Sequence, residues 1–270
     1  MTAQQDRIRS DICWSTPDQI HVHGLSLPDE ILGQMNLGDM AFLLLMGRKP
    51  TDQESKVFNA VVITLVEHGV TPSALATRLT YAAAPEALQG AVAAGLCGLG
   101  SVLVGSMEGA ARLLYEAVER LEAGETEAVI ATDIVATAKA EGRHLPGFGH
   151  MIHRPVDPRT PRLFQIATEN DMDGRYVSMI QAIHAAMEQD KGKRITLNAT
   201  GALAALCCEF DLPWTVVRGI GVMARSIGLV GHILEETRQP LAFNACVDIE
   251  RSATQHHFSP KHQTAEGSTS

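Results

Sequence analysis

The residues best suited to chemistry lie in one glycine-rich segment, GFGHMIHRPVDPR at residues 147–159. Glycine lets the backbone pass close to a ligand, and His150, directly after such a turn, can be presented to a substrate instead of being buried in a core. The Asp-Pro-Arg turn that follows aims Arg159, whose planar guanidinium can bind both oxygens of a carboxylate. The segment therefore indicates a site where an imidazole and a guanidinium meet a ligand that carries a carboxylate.

This segment and others resemble a known family. GFGH followed by DPR is similar to the signature of citrate synthases and of the citryl-CoA lyase module of ATP-citrate lyase. Three further segments resemble family segments in the family's order: HGLSLPDEILGQMNLGDMAFLLLMGRKPT, LVEHG around His68, and MARSIGLVGHILE around Arg225. The similarity runs roughly from Pro17 to Arg238, and several motifs in one consistent order argue against chance.

The resemblance implies an all-α, citrate-synthase-like multi-helix fold in residues 1–251, with a large helical domain and a small helical subdomain at about 145–225. It implies a homodimer or larger homo-oligomer whose ligands are a small polycarboxylate and CoA. The implied reaction is citryl-CoA lyase chemistry, which cleaves citryl-CoA or a related hydroxy-polycarboxyl-CoA to acetyl-CoA and a 2-oxo acid such as oxaloacetate. The matching residues are His150, His68 and Thr200 for catalysis, and Arg159, Arg225 and Asn198 for substrate binding.

The resemblance also assigns residues to CoA, which enters as a substrate or product, so that no tightly bound cofactor or metal is expected. Arg154, Lys191 and Lys193 match positions that meet the phosphates, and a local basic cluster suits such a ligand on an acidic protein. The backbone of residues 145–147 (Leu145, Pro146, Gly147) is expected to contact the adenine. A solvated loop is an equally good interpretation of the two lysines.

Two positions depart from the family pattern. The citrate synthase histidine that polarises the thioester carbonyl is replaced by Val104, as in citryl-CoA lyase modules, which favours cleavage over condensation. The catalytic aspartate of the family's Asn-Val-Asp motif is replaced by Thr200 in Asn198-Ala199-Thr200. A threonine hydroxyl cannot act as a general base near neutral pH, so Thr200 is expected to orient groups through hydrogen bonds, and His150 to transfer the proton.

Other interpretations stay open at this point. A relative that kept the pocket and lost the base would bind CoA or a polycarboxylate without turnover, and a citrate-synthase-type condensing enzyme is a third possibility. The arginines can instead form surface ion pairs, and His68 can be a core residue. His21 and His23 can ligate a metal, but two alternating histidines without further ordered ligands are weak evidence.

Helical periodicity dominates the elements that must position these residues. Ser26 and Pro28 predict a capped helix through Leu45 with a break at Gly38, and Thr51 with Glu54 predicts a capping box. Thr71-Pro72 begins another helix. Further helices are predicted at about 107–122, 127–141, 161–170, 174–189, 195–209 and 213–237. The small residues at 91–95 and 202–205 predict close helix packing at the centre or across a dimer interface, and residues 252–270 predict a poorly ordered tail.

Composition limits the class of protein. With 270 residues, of which 45% are hydrophobic, the chain can bury one large core, and its formal charge of -9 argues against nucleic acid or an acidic membrane surface as a partner. The N-terminus lacks a signal-peptide pattern, and we expect no apolar run long enough to cross a bilayer, which predicts a cytoplasmic protein. Five cysteines without metal-like spacing fit a reducing compartment, with Cys207 and Cys208 as buried thiols.

Overall fold

The computed structural model of the chain describes residues 9–258, and most of them are helical, which confirms the predicted all-α class. The predicted helices between residues 107 and 237 are all present, with ends shifted by a few residues. The helices of the described residues are α1 Leu37–Met46, α2 Asp52–Val66, α3 Pro72–Ala83, α4 Leu88–Cys97, α5 Gly105–Glu122, α6 Glu127–Ala140, α7 Arg159–Thr168, α8 Arg175–Lys191, α9 Ala199–Glu209, α10 Trp214–Arg238 and α11 Ala242–Thr254.

A small antiparallel sheet precedes the helices and was not predicted. Its strands are β1 Cys13–Ser15, β2 Ile20–Val22 and β3 Leu25–Ser26, in the order β1-β2-β3. Trp14 on β1 lies opposite His21 on β2, and the two rings stack with centroids 4.1 Å apart. Strands of two or three residues are too short to show an alternating pattern, so the sequence carried no signal for them.

The predicted helix starts are confirmed by their caps. Ser26 accepts from the amide of Asp29 at the start of a π-helical turn, Leu27–Ile31. Thr51 and Glu54 form the reciprocal capping box, with amide-to-side-chain distances of 2.8 and 3.2 Å. Thr71 caps α3, and Pro72 occupies its first turn. These local bonds satisfy amides that a helix start leaves without an intrahelical partner.

Gly38 does not break a helix, contrary to the prediction. The break lies before α1, which starts at Leu37 after its N-cap Asn36, and Gly38 is inside the first turn. A Cβ at Gly38 would lie 2.1 Å from Asn59 Oδ1, so glycine is needed there for close packing of α1 on α2. Glycine is present at position 38 because of a contact between two helices. A prediction that treats glycine only as a local helix breaker cannot detect such a contact.

The chain divides into two compact units, and the first comprises, among the described residues, 9–65 and 101–221. Its centre is α9, where every residue from Ala202 to Cys208 is at most 1% exposed. Helices α5, α7 and α8 pack around α9. The predicted central packing of small residues at 202–205 is therefore confirmed, as are the buried thiols, and burial raises the pKa of Cys207 to about 12.

The second unit comprises residues 66–100 and 222–258 of the described chain. Helices α3 and α4 pack closely at Gly95, where the absence of a side chain makes the approach possible. A Cβ at this position would lie 2.0 Å from Thr77 Oγ1. The fully buried Arg78 of α3 donates to Glu236 of α10 at 2.6 Å and also pairs with Glu235. Glu236 in turn accepts from the amide of Ala242 at 2.9 Å, so one buried ion pair connects α3, α10 and the start of α11.

Three predictions about chain organisation need comment. The expected disorder of residues 252–270 is wrong for its first part, since α11 extends to Thr254 and a 3₁₀ turn follows at Gln255–Phe258; residues 259–270 lie outside the described residues. The expectation that no apolar run could cross a bilayer is also wrong, because α10 is long and apolar enough by length and composition alone, although half of its apolar window is buried within the protein. The small subdomain at 145–225 coincides with neither unit and stays a prediction.

Candidate active site

The GFGH turn is held against the segment that leads into α9. The amide of Gly149 donates to the carbonyl of Thr196 at 2.7 Å, and the amide of Asn198 donates to the carbonyl of Gly147 at 3.0 Å. Gly147 has a positive φ of 88°, and a Cβ there would lie 2.8 Å from Gly201 Cα. Glycine at both positions therefore allows the two backbones to approach closely, which brings Asn198 and Thr200 beside the His150 turn.

The imidazole of His150 is oriented by its own loop. Its Nδ1 accepts hydrogen bonds from the amides of Ile152 and His153, at 3.1 and 2.9 Å, so in the neutral ring the proton resides on Nε2. Arg154 Nε donates to the carbonyl of His150 at 2.6 Å. The loop therefore presents His150 as a hydrogen-bond donor through Nε2–H, and the predicted phosphate ligand Arg154 helps to support this turn.

Asn198, Thr200 and Ser106 form a chain of hydrogen bonds beside this turn. Asn198 Nδ2 donates to the carbonyl of Gly149 at 2.7 Å, and its Oδ1 accepts from the hydroxyl of Thr200 at 2.6 Å. The single hydroxyl hydrogen of Ser106 is shared between two acceptors, Thr200 Oγ1 at 2.9 Å and the carbonyl of Leu103 at 2.7 Å from Oγ. Thr200 thus links Ser106 to Asn198, and its predicted role toward the substrate stays a prediction. Ser106 is a participant that sequence reasoning missed.

Arg159 lies at the start of α7 in a bidentate pair with Asp157. Its Nε and Nη2 donate to the two carboxylate oxygens at 2.9 and 2.8 Å, and Asp157 also accepts from the amide of Ala199 at 2.9 Å. Burial alone would raise the pKa of Asp157, but these donors outweigh it and hold the pKa at about 2. The fork of Arg159 is therefore used on Asp157, and within the described contacts Nη1 is the nitrogen that remains to meet a ligand.

The basic residues assigned to CoA lie at the end of α8 and just after it. Lys191 is the last residue of the helix, Gly192 ends it in the left-handed conformation, and Lys193 and Arg194 follow on the exposed surface. A cavity of about 330 Å³ lies beside them, lined in part by Arg194, His184 and Phe164. Among residues 145–147, Leu145 and Gly147 are buried and Pro146 is half-buried, and their expected contact with the adenine stays a prediction.

His68 and Arg225 lie in the second unit, and their predicted roles toward the substrate stay predictions. Glu67, which sequence reasoning missed, holds the His68 backbone, because one of its oxygens accepts from the amides of His68 and Gly69 at 2.7 and 2.6 Å. Its other oxygen lies 3.0 Å from Nε2 of the buried His232 of α10. Burial alone would raise the pKa of Glu67, and these hydrogen bonds lower it below its ordinary value.

Comparison with known proteins agrees with this architecture. The family described as "Citrate synthase, C-terminal domain" matches residues 28–251, which is most of the chain. The chain belongs to the citrate synthase family. A curated relative, the probable ATP-citrate synthase of Dictyostelium discoideum, is 24% identical over 249 residues, covering 86% of this chain and 38% of that protein. The chain therefore spans well under half the length of that relative.

Solved structures of citrate synthase relatives share the fold. Citryl-CoA lyase from Hydrogenobacter thermophilus superposes with a TM-score of 0.77 at 29% identity and covers 85% of this chain and 87% of that one. ATP citrate lyase from Methanothrix soehngenii, in complex with citrate and coenzyme A, has a TM-score of 0.73 at 22% identity and covers 87% of this chain and 39% of that one. The second likeness concerns the fold alone.

Val104, at the position of the citrate synthase histidine, has a packing role in this member of the family. It is 7% exposed and directly precedes α5. Its Cγ1 would lie 2.2 Å from a Cβ at Gly221, so the valine fills the space that a glycine of α10 leaves open. An apolar contact of this kind supplies no hydrogen bond to a thioester carbonyl.

Proposed function

We propose that this chain is a carbon–carbon lyase that cleaves citryl-CoA, or a related hydroxy-polycarboxyl-CoA, to acetyl-CoA and a 2-oxo acid such as oxaloacetate. Membership of the citrate synthase family supports an enzyme that acts on CoA thioesters. The likeness to the Hydrogenobacter citryl-CoA lyase extends over most of both chains, so it supports a lyase whose catalytic domain is about this size.

The orientation of His150 is the observation that carries this proposal. Cleavage of the bond beside a tertiary hydroxyl passes through a state in which that oxygen gains negative charge and then becomes a ketone. A donor held in place before the reaction stabilises such charge, and removing one costs about 10²–10³-fold in rate. The Nε2–H of His150, oriented by two amides on Nδ1, is such a donor. Nη1 of Arg159 is suited to a substrate carboxylate near it.

The test is a coupled assay in which synthetic citryl-CoA is the substrate and malate dehydrogenase reports oxaloacetate. His150→Ala should lower kcat by about 10²–10³-fold, whereas His144→Ala, an exposed histidine six residues earlier, should leave it unchanged. The proposal would be refuted if His150→Ala kept the turnover of the unaltered protein. It would also be refuted if the unaltered protein released no oxaloacetate from citryl-CoA.

A second candidate, a non-catalytic binding protein for CoA or a polycarboxylate, is favoured by one observation. Thr200 stands at the position of the family's aspartate, and its hydroxyl donates to Asn198. This candidate predicts heat of CoA or citrate binding in calorimetry together with no oxaloacetate release in the coupled assay. Oxaloacetate release at an enzymatic rate would reject it.

A further inference from the structure

We propose that His153 is the catalytic residue that removes and returns the proton in this lyase. The inference rests on the proposed function, and it answers the question that Thr200 raises: which group transfers the proton when the family's aspartate is absent. The rings of His150 and His153 lie side by side in one loop, with centroids 4.5 Å apart and planes inclined by 32°. His153 therefore lies directly beside the residue that the proposed function assigns to the reacting oxygen.

His150 is not suited to accept the hydroxyl proton. Its Nδ1 is occupied as an acceptor by the amides of Ile152 and His153, so the neutral ring already carries its proton on Nε2. Accepting at Nε2 would require the other tautomer, in which an Nδ1–H would point at two N–H donors. The loop thus restricts His150 to donating a hydrogen bond, and the expectation that it transfers the proton passes to another group.

Other groups of this loop and its neighbouring segment are also unsuitable as bases. The hydroxyls of Thr200 and Ser106 ionise far above neutral pH. Asp157 is completely buried, and its oxygens accept from Arg159 and from the amide of Ala199. Arg154 stays protonated and cannot accept a proton. Compared with these groups, the imidazole of His153 has a nitrogen that is basic in the neutral ring and can accept a proton.

The backbone of His153 fixes where its ring lies. Its amide donates to His150 Nδ1 at 2.9 Å, and its carbonyl lies 3.3 Å from Thr196 Oγ1, whose hydroxyl hydrogen is shared with the carbonyl of Pro155 at 3.1 Å. The side chain is half-buried, whereas Met151 and Ile152 are 85% and 72% exposed. The histidine thus turns toward the protein while its two apolar neighbours face solvent, which suits a residue that serves the site and not the surface.

The proton balance needs no further reagent. The neutral ring of His153 takes the proton of the tertiary hydroxyl as that O–H bond breaks. The oxygen's electron pair forms the carbonyl of the 2-oxo acid, and the pair of the breaking carbon–carbon bond becomes the enolate of acetyl-CoA. The imidazolium of His153 then gives the same proton to the CH₂ carbon, which yields acetyl-CoA and restores the neutral ring. His150 stabilises the oxygen throughout by donation from Nε2.

The experiment compares His153→Gln and His153→Ala with the unaltered protein in the citryl-CoA assay, and uses His144→Gln as the matched control. Loss of a general base typically lowers the rate by about 10²–10⁴-fold. We expect that loss in kcat with KM changed by less than about threefold, since a base acts on the transition state. Added imidazole should restore part of the activity of His153→Ala, and substituted imidazoles should restore more as their basicity rises.

The outcomes separate the two proposals. If the unaltered protein cleaves citryl-CoA and His153→Gln keeps its kcat, the role of His153 is refuted while the lyase function stands. The role would also be refuted if the variants changed KM as much as kcat, had a lower melting temperature and were not restored by imidazole. That pattern is expected of a residue that only supports the structure. If the unaltered protein does not cleave citryl-CoA, the proposed function fails, and the step assigned to His153 fails with it.

Discussion

Asp157 provides the sharpest test of how the site is held together. The residue is completely buried, and it joins the start of α7 to the start of α9 by accepting from Arg159 and from the amide of Ala199. Burial alone would raise its pKa, but these donors lower the pKa from 3.8 to about 2. Because each pKa unit corresponds to about 1.4 kcal/mol, the ionised carboxylate contributes about 2 kcal/mol to the free energy of unfolding at neutral pH.

Asp157→Asn keeps the size of the side chain and removes its charge. The new NH₂ group faces a donor that the carboxylate had satisfied, and an unsatisfied buried donor costs a further 1–3 kcal/mol or so. We therefore expect the free energy of unfolding to fall by about 3–5 kcal/mol at pH 7. The stabilisation that comes from the ionised Asp157 carboxylate is fully present above its ordinary pKa of 3.8, and it is lost as the pH falls toward the pKa of about 2 in the folded protein. The difference between the two proteins should therefore shrink below about pH 4.

Urea unfolding at several pH values between about 7 and 3 measures this difference, and hydrogen exchange of the Ala199 amide reports the local effect. Glu116→Gln is the control, because its ion pair with Arg112 is 58–62% exposed and should contribute less than about 1 kcal/mol. Equal destabilisation at pH 7 and at pH 3, or a loss at pH 7 no larger than the control's, would refute the argument.

Three further predictions concern Thr200, Ser106 and Glu67. When Thr200→Asp is added to His153→Gln, the rate in the citryl-CoA assay should rise at least about tenfold, because the second change restores a carboxylate at the position of the family's aspartate. An unchanged rate would contradict this prediction. Ser106→Ala removes a donor to Thr200 and should lower the free energy of unfolding by about 0.5–1.5 kcal/mol in urea titrations, with Ser106→Thr as the conservative control. Glu67→Gln should accelerate exchange of the His68 amide about tenfold or more by NMR, and unaltered exchange would show that the carboxylate does not hold that backbone.

Much of the fold followed from signals that are local in sequence. Thr51 and Glu54 predicted a helix start, because a capping box is complete within four residues. The helical periodicity of apolar residues predicted most of the later helices. Gly38 misled because its reason is a contact with Asn59 on another helix. The sheet at residues 13–26 was missed because its strands are too short to form a pattern.

The candidate site divided in the same way. His150, Arg159 and Asn198 could be proposed from the sequence because each belongs to a short motif, GFGH, DPR or Asn198-Ala199-Thr200, that is complete within three or four residues. Ser106 joins Thr200 from 94 positions away, and no spacing rule predicts a hydrogen bond of that span. His153 lies inside the motif, but the half-burial of its side chain and the distance of 4.5 Å between its ring and that of His150 are visible only in the structure.

The two departures from the family pattern have a common physical property: each replacement is accommodated by specific neighbours. Val104 fills the space over Gly221, and Thr200 both donates to Asn198 and accepts from Ser106. A position that had merely lost its acidic group would leave a cavity or an unpaired buried polar atom, either of which costs stability. Both replacements instead have defined contacts, so the surroundings of these two positions are consistent without the usual histidine and aspartate. Such a site can be catalytic only if another group transfers the proton, and we propose that the ring of His153, which lies beside that of His150, meets this requirement.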